Sequence, residues 1–96
     1  MRRKIVAGNW KMNNDQSESN ILIHSIIEQS SEKTSCNIYV SPSFPFLKDA
    51  VLTCSKSNIK VLSQNVSHLT SGALTGDVSC TMLKSCLLYT SDAADE

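Results

Sequence analysis

The sequence predicts an α/β protein built on a parallel sheet, and three observations carry that expectation. Short apolar, β-rich runs recur at residues 4–7, 37–40 and 59–62. Helix-length stretches separate them, and the links are too long for hairpins, which leaves parallel strands joined by crossovers. Three such strands in 96 residues leave two bare sheet edges and few covering helices. Parallel sheets are seldom stable uncovered, so the chain reads as the opening βα units of a longer architecture.

The first strand, Lys4-Ile5-Val6-Ala7, is a continuous apolar run that suits burial on both faces and ends at Gly8. Asn14, Asp15 and Ser17 then offer N-cap oxygens to a first helix. Leu22, Ile23, Ile26 and Ile27 form its apolar stripe, and the polar stretch 30–35 ends it. Asn37-Ile38-Tyr39-Val40 is the second strand, stopped by Ser41-Pro42. Ser43 and Pro45 open a second helix whose inner face is Leu47, Val51 and Cys54. Ile59-Lys60-Val61-Leu62 is the third strand. A loop containing Gly72 and Gly76 leads to a short helix over residues 78–84. The order is β-α-β-α-β-loop-α.

Composition excludes several functions. Nine basic and nine acidic side chains give a formal net charge of zero, so no nucleic-acid partner held by bulk charge is expected. Arg2-Arg3-Lys4 is too short for a binding patch and reads as a solvated N-terminus. No run approaches the ~18 apolar residues of a membrane span. Gly8-Asn9-Trp10-Lys11 interrupts any signal-peptide core, so a cytoplasmic location and no membrane partner are expected. Cys36, Cys54, Cys80 and Cys86 show neither C-x-x-C pairing nor His at ligand spacing and read as buried or half-buried thiols, with no metal site. Asn65-Val66-Ser67 matches a glycosylation acceptor only by coincidence in a chain without a secretion signal.

The residues from Cys86 to Glu96 are set apart. Codon by codon, they back-translate into the adapter of a common transposon-based DNA-sequencing library. Eleven consecutive compatible codons make chance a poor explanation. The natural sequence is therefore expected over residues 1–85, and 86–96 is expected to be a non-native tail, treated like a fusion scar. Amplification of the source locus should not find those eleven codons in frame; finding them would overturn the assignment.

The segment carrying chemistry is Ala7-Gly8-Asn9-Trp10-Lys11-Met12-Asn13, at the end of the first strand. Active-site groups gather at the C-terminal ends of parallel strands. Lys11 places a compact cation with three donors there, and Asn9 adds an amide, a pairing that suits an anionic substrate. Gly8 is expected to supply a close backbone approach or an unusual dihedral. On these features alone a solvated loop lysine beside a turn-forming asparagine is the more ordinary reading.

The whole segment resembles the N-terminal signature of the triosephosphate isomerase family. Residues 41–47 (SPSFPFL) resemble the family's turn after its second strand. Residues 64–67 (QNVS) and 71–79 (SGALTGDVS) resemble its third strand end and interface loop. The resemblance covers about residues 3–84. It implies that the chain is the N-terminal three βα units of a homodimeric (β/α)₈ barrel, incomplete here. It further implies interconversion of dihydroxyacetone phosphate and D-glyceraldehyde 3-phosphate in glycolysis and gluconeogenesis, with no cofactor and no metal. Lys11 would be catalytic and, with Asn9, substrate-binding. Met12 and Thr75 would lie at the dimer interface, and Gln64 and Asn65 at structural positions. The family's catalytic His and Glu lie on later strands, so the 96-residue chain itself is expected to be inactive. His24 and His68 are not substitutes, and Asp15, Glu18, Glu28 and Glu32 read as solvated faces. Leu74 and Asp77 stand where the family more usually has an aromatic and a Glu. The competing reading is a short non-catalytic α/β protein that binds a phosphorylated ligand or a partner. A dinucleotide-binding module is weaker still, since no G-x-G-x-x-G follows the first strand.

Overall fold

The computed structural model describes residues 4–30 and 36–86. Arg2, Arg3, Glu32 and most of the tail, residues 87–96, lie outside the described residues. Strand β1 (Lys4–Asn9), helix α1 (Gln16–Gln29), strand β2 (Cys36–Ser41), a 3₁₀ turn (Phe44–Phe46), helix α2 (Leu47–Cys54) and strand β3 (Ile59–Val61) follow in order. Residues 80–86 are helical again. The strands form one parallel sheet in the order β1-β2-β3. Its register pairs Lys4 with Cys36 through to Asn9 with Ser41, and Ile38 with Ile59.

Local chemistry explains most boundaries. Asp15 is the cap of α1: its carboxylate accepts from the Glu18 N–H at 2.9 Å, and Glu18 Oε1 accepts from the Asp15 N–H at 2.9 Å. This reciprocal pair satisfies two of the helix's orphan donors and is worth about 1 kcal/mol. Glu18 is thus a structural carboxylate, a correction to its reading as a merely solvated one. Helix α1 closes at Ser30, whose N–H reaches the Ile26 carbonyl and whose hydroxyl reaches that of Ile27. Ser79 starts the last helix by accepting from the Met82 N–H at 3.1 Å, so that helix begins two residues later than its sequence suggests.

The core is small. Ile23, Val40, Ala50, Cys54 and Ile59 are buried together, with Trp10, Ile26, Ile27, Ile38 and Val61 packed against them. The inner face of α2 is Leu47, Ala50 and Cys54, with Val51 only half-buried at its side. On α1 the stripe is Ser19, Ile23, Ile26 and Ile27, while Leu22 is exposed. Ser19 Oγ has no hydrogen-bond partner among the described residues.

Strand β1 departs most from expectation. It runs through Gly8 to Asn9, and all six residues are exposed, with Ile5 63% and Val6 55% accessible. The apolar run is suited to burial on both faces, but among the described residues β2 alone pairs with it. Cys80 is exposed, against the expectation of a half-buried thiol; Cys54 is buried, and that burial pushes its thiol pKa up.

Candidate functional site

Because the three strands are parallel, their C-terminal ends share one edge of the sheet, and three loops leave from it. The β1 loop holds Trp10 and Lys11, the β2 loop Pro42 and Ser43, and the β3 loop Ser63 and Gln64. Trp10 anchors the first loop: its ring packs against the core and its backbone N–H donates to the Ser41 carbonyl at 3.1 Å.

Lys11 is held in the left-handed region, at φ 55°. A side chain other than Gly, Asn or Asp in that region costs about 1–3 kcal/mol, and such strain persists only where its surroundings over-determine it. Gly8 was the expected place for an unusual dihedral. Its φ is not positive, and a Cβ there would meet only the Trp10 ring at ordinary contact, 3.8 Å. The strain sits three residues later.

Hydrogen bonds hold both peptide groups of Lys11. Its N–H donates to Asn9 Oδ1 at 2.8 Å. Its carbonyl accepts from Gln64 Nε2 at 2.8 Å and from Ser43 Oγ at 2.9 Å. The same Gln64 nitrogen donates to the Ser41 carbonyl at 2.9 Å, so one amide uses both N–H donors to lace all three strand ends together. Asn13 Nδ2 closes the turn on the Trp10 carbonyl at 2.9 Å. Asn14, at φ 76°, takes a left-handed conformation that asparagine tolerates.

The geometry therefore fixes the backbone and leaves the functional groups free. The Lys11 ammonium makes no ion pair or hydrogen bond among the described residues, and neither does Asn9 Nδ2. Lys11, Asn9 and Met12 are all exposed, Met12 at 94%. A cation and an amide donor, on a rigid loop at the carboxyl edge of a parallel sheet, can bind an anion or stabilise charge that develops there.

Structure brings Asn9, Lys11 and Gln64 together, but not every residue singled out in the sequence. Thr75 is at the tip of the turn closed by the Asp77 N–H on the Leu74 carbonyl at 3.1 Å. Gly76 supplies the positive φ, 87°, that such a turn needs at its third residue. Among the described residues, no hydrogen bond ties Thr75 or Met12 to Asn9 or Lys11. Asn65 uses its side-chain oxygen locally, on the Val66 N–H at 2.8 Å. His24 and His68 are exposed. No three His, Cys, Asp or Glu among the described residues could hold a metal ion, and no described helix is long and apolar enough to cross a membrane. A hollow of about 760 Å³ beside Ser79, Met82 and Cys86 is wide open and shares no residue with the Lys11 clamp. Ser43 is the residue of the Lys11 clamp that the sequence does not reveal, since its only legible role there is to open a helix.

The family model described as triosephosphate isomerase matches residues 4–90, which runs five residues into the segment set apart as a tail. A triosephosphate isomerase from Flavobacterium psychrophilum is 42% identical over 85 residues, covering 88% of this chain and 34% of the relative. The one from Chlorobium phaeobacteroides is 40% identical over 86 residues, covering 88% and 34%. That from Haemophilus ducreyi is 36% identical over 84 residues, covering 86% and 33%. The chain spans about a third of the length of the curated relatives it matches.

Proposed function

From the premise that this chain belongs to the triosephosphate isomerase family, we propose that it supplies the first three βα units of an isomerase acting on triose phosphates. The reaction moves a proton between adjacent carbons of dihydroxyacetone phosphate and glyceraldehyde 3-phosphate through an enediolate, without cofactor or metal. One observation supports the reading above the rest: Lys11, strained and clamped, presents a free ammonium at the carboxyl edge of the sheet. Lys11 is the cation that binds the anionic substrate and favours the enediolate, and Asn9 Nδ2 is a donor to the same substrate. The carboxylate and imidazole that transfer protons come from the two thirds of the relatives' length not spanned here.

The same reading takes the parent as a cytoplasmic homodimer serving glycolysis and gluconeogenesis. Met12 stands almost fully exposed beside Lys11, and the turn holding Leu74 and Thr75 projects with no covering element among the described residues. Both are in keeping with a subunit interface. Residues 1–85 belong to the barrel and 86–96 to the adapter-derived tail.

A graft tests the proposal. Residues 4–85, placed ahead of the remaining two thirds of the F. psychrophilum relative, should yield a dimer that isomerises triose phosphates in a coupled assay. A folded, dimeric but inactive graft would sink the reading.

A further inference from the structure

We propose that Ser43 is a positioning residue for Lys11: its hydroxyl, donated to the Lys11 carbonyl, holds the strained peptide that aims the ammonium. The inference rests on the isomerase reading above and deepens it, by naming a residue that acts on the substrate only through another.

Three observations carry it. A serine ahead of a helical turn ordinarily caps that turn, yet Ser43 makes no side-chain cap bond to Phe44–Phe46. Its hydroxyl instead crosses 32 positions of sequence to reach the Lys11 carbonyl at 2.9 Å. Next, Lys11 sits at φ 55°, a conformation uncommon and strained for a lysine. Rotation of the peptide back toward negative φ would swing the carbonyl away from its donors and move the side chain with it. Finally, Gln64 does not hold that carbonyl by itself. Its nitrogen also serves the Ser41 carbonyl, so Gln64 ties the loop to β2, while Ser43 donates to the second lone pair of the Lys11 oxygen. With both lone pairs engaged, the carbonyl has one orientation rather than a range of them.

The register makes the contact geometrically natural. Asn9 lies opposite Ser41, so two residues beyond the sheet Lys11 faces Ser43. The two loops leave their strands in step.

The test uses the full-length graft and steady-state kinetics. Ser43→Ala should lower kcat about 3- to 10-fold, a loss on the scale of one hydrogen bond, and shift KM by less. Ser43→Thr keeps the hydroxyl and should recover most of the loss. Ser43→Val has the shape of threonine without the donor and should behave like Ser43→Ala, which also settles the matter if the alanine variant misfolds. In a Lys11→Met background, Ser43→Ala should change kcat by less than about 2-fold, because the group it positions is gone. A serine that merely supports the fold would lower activity equally in both backgrounds and would not distinguish Thr from Val. Either of those results, or wild-type kcat in Ser43→Ala, overturns the role of Ser43. Loss of activity in Lys11→Met then leaves the role of Lys11 standing, whereas an unimpaired Lys11→Met removes that role and this proposal with it; the isomerase reading itself falls only with an inactive parent graft.

Discussion

Lys11→Met in the full-length graft should lower kcat by at least about 10²–10³-fold, the scale seen when one electrostatic stabiliser is deleted. An enediolate carries full negative charge where the substrate has a neutral carbonyl, so a fixed cation beside it favours the transition state over the ground state. The phosphate is charged throughout, and part of the same attraction therefore appears as binding; KM should rise as well. Methionine keeps much of the stem and removes the charge. What makes the loss large is pre-organisation: the Lys11 N–H is fixed by Asn9 and its carbonyl by Ser43 and Gln64. The backbone that carries the ammonium is thus held before any ligand arrives. Lys11→Arg should recover only part of the activity, since a planar fork cannot replace a compact ammonium on a backbone that does not yield. If a folded, dimeric Lys11→Met graft keeps more than about a tenth of the parent kcat/KM, a loss below about 1.4 kcal/mol, then Lys11 is a solvent-facing loop residue.

The alternation of strands and helices was legible because each element has a local signature. The β-branched runs, the Asp15 cap and the Pro45 turn all act over a few residues. What depends on contacts between elements was not legible. The runs 4–7 and 37–40 carry no register of their own, and it is the pairing of Lys4 with Cys36 that sets Ser43 opposite Lys11. A one-residue slip in register is enough to hide the Lys11–Ser43 contact, since it places Ser43 opposite the wrong loop position. The strain at Lys11 left no trace either: lysine is not a residue that marks positive φ, and nearby Gly8 drew the expectation to itself. Spacing did announce Glu18, as Asp-x-x-Glu is a capping pattern; reading it as a solvated charge overlooked a signal that was present. The placement of Lys11 and Asn9 at the sheet's carboxyl edge, by contrast, was legible as soon as the strand end was.

The 96-residue chain by itself should show no cooperative unfolding and no isomerase activity. Among the described residues its buried apolar core draws on α1, β2, α2 and β3, and not on β1. Ile5 and Val6 are 63% and 55% accessible, so among the described residues neither face of β1 is covered: successive side chains on a strand point to opposite sides. Each such residue, fully buried, would contribute about 1.5–3 kcal/mol, and here most of that is forgone while the ordering of the strand still costs about 1–2 kcal/mol per residue. Among the described residues, strands β1 and β3 are also bare sheet edges, each paired with β2 alone. A closed eight-stranded barrel covers both edges and fills its interior with strand side chains. The contrast between the two contexts makes the cause testable with one substitution. In the full-length graft, Val6→Asp should abolish or severely weaken folding, because it places a charge in a packed wall. In the 96-residue chain the same change should leave the circular dichroism spectrum unaltered. A sharp thermal transition and a dispersed amide spectrum for the short chain at micromolar concentration, lost on Val6→Asp, would show that β1 finds its cover within these residues and that the barrel is not needed for it.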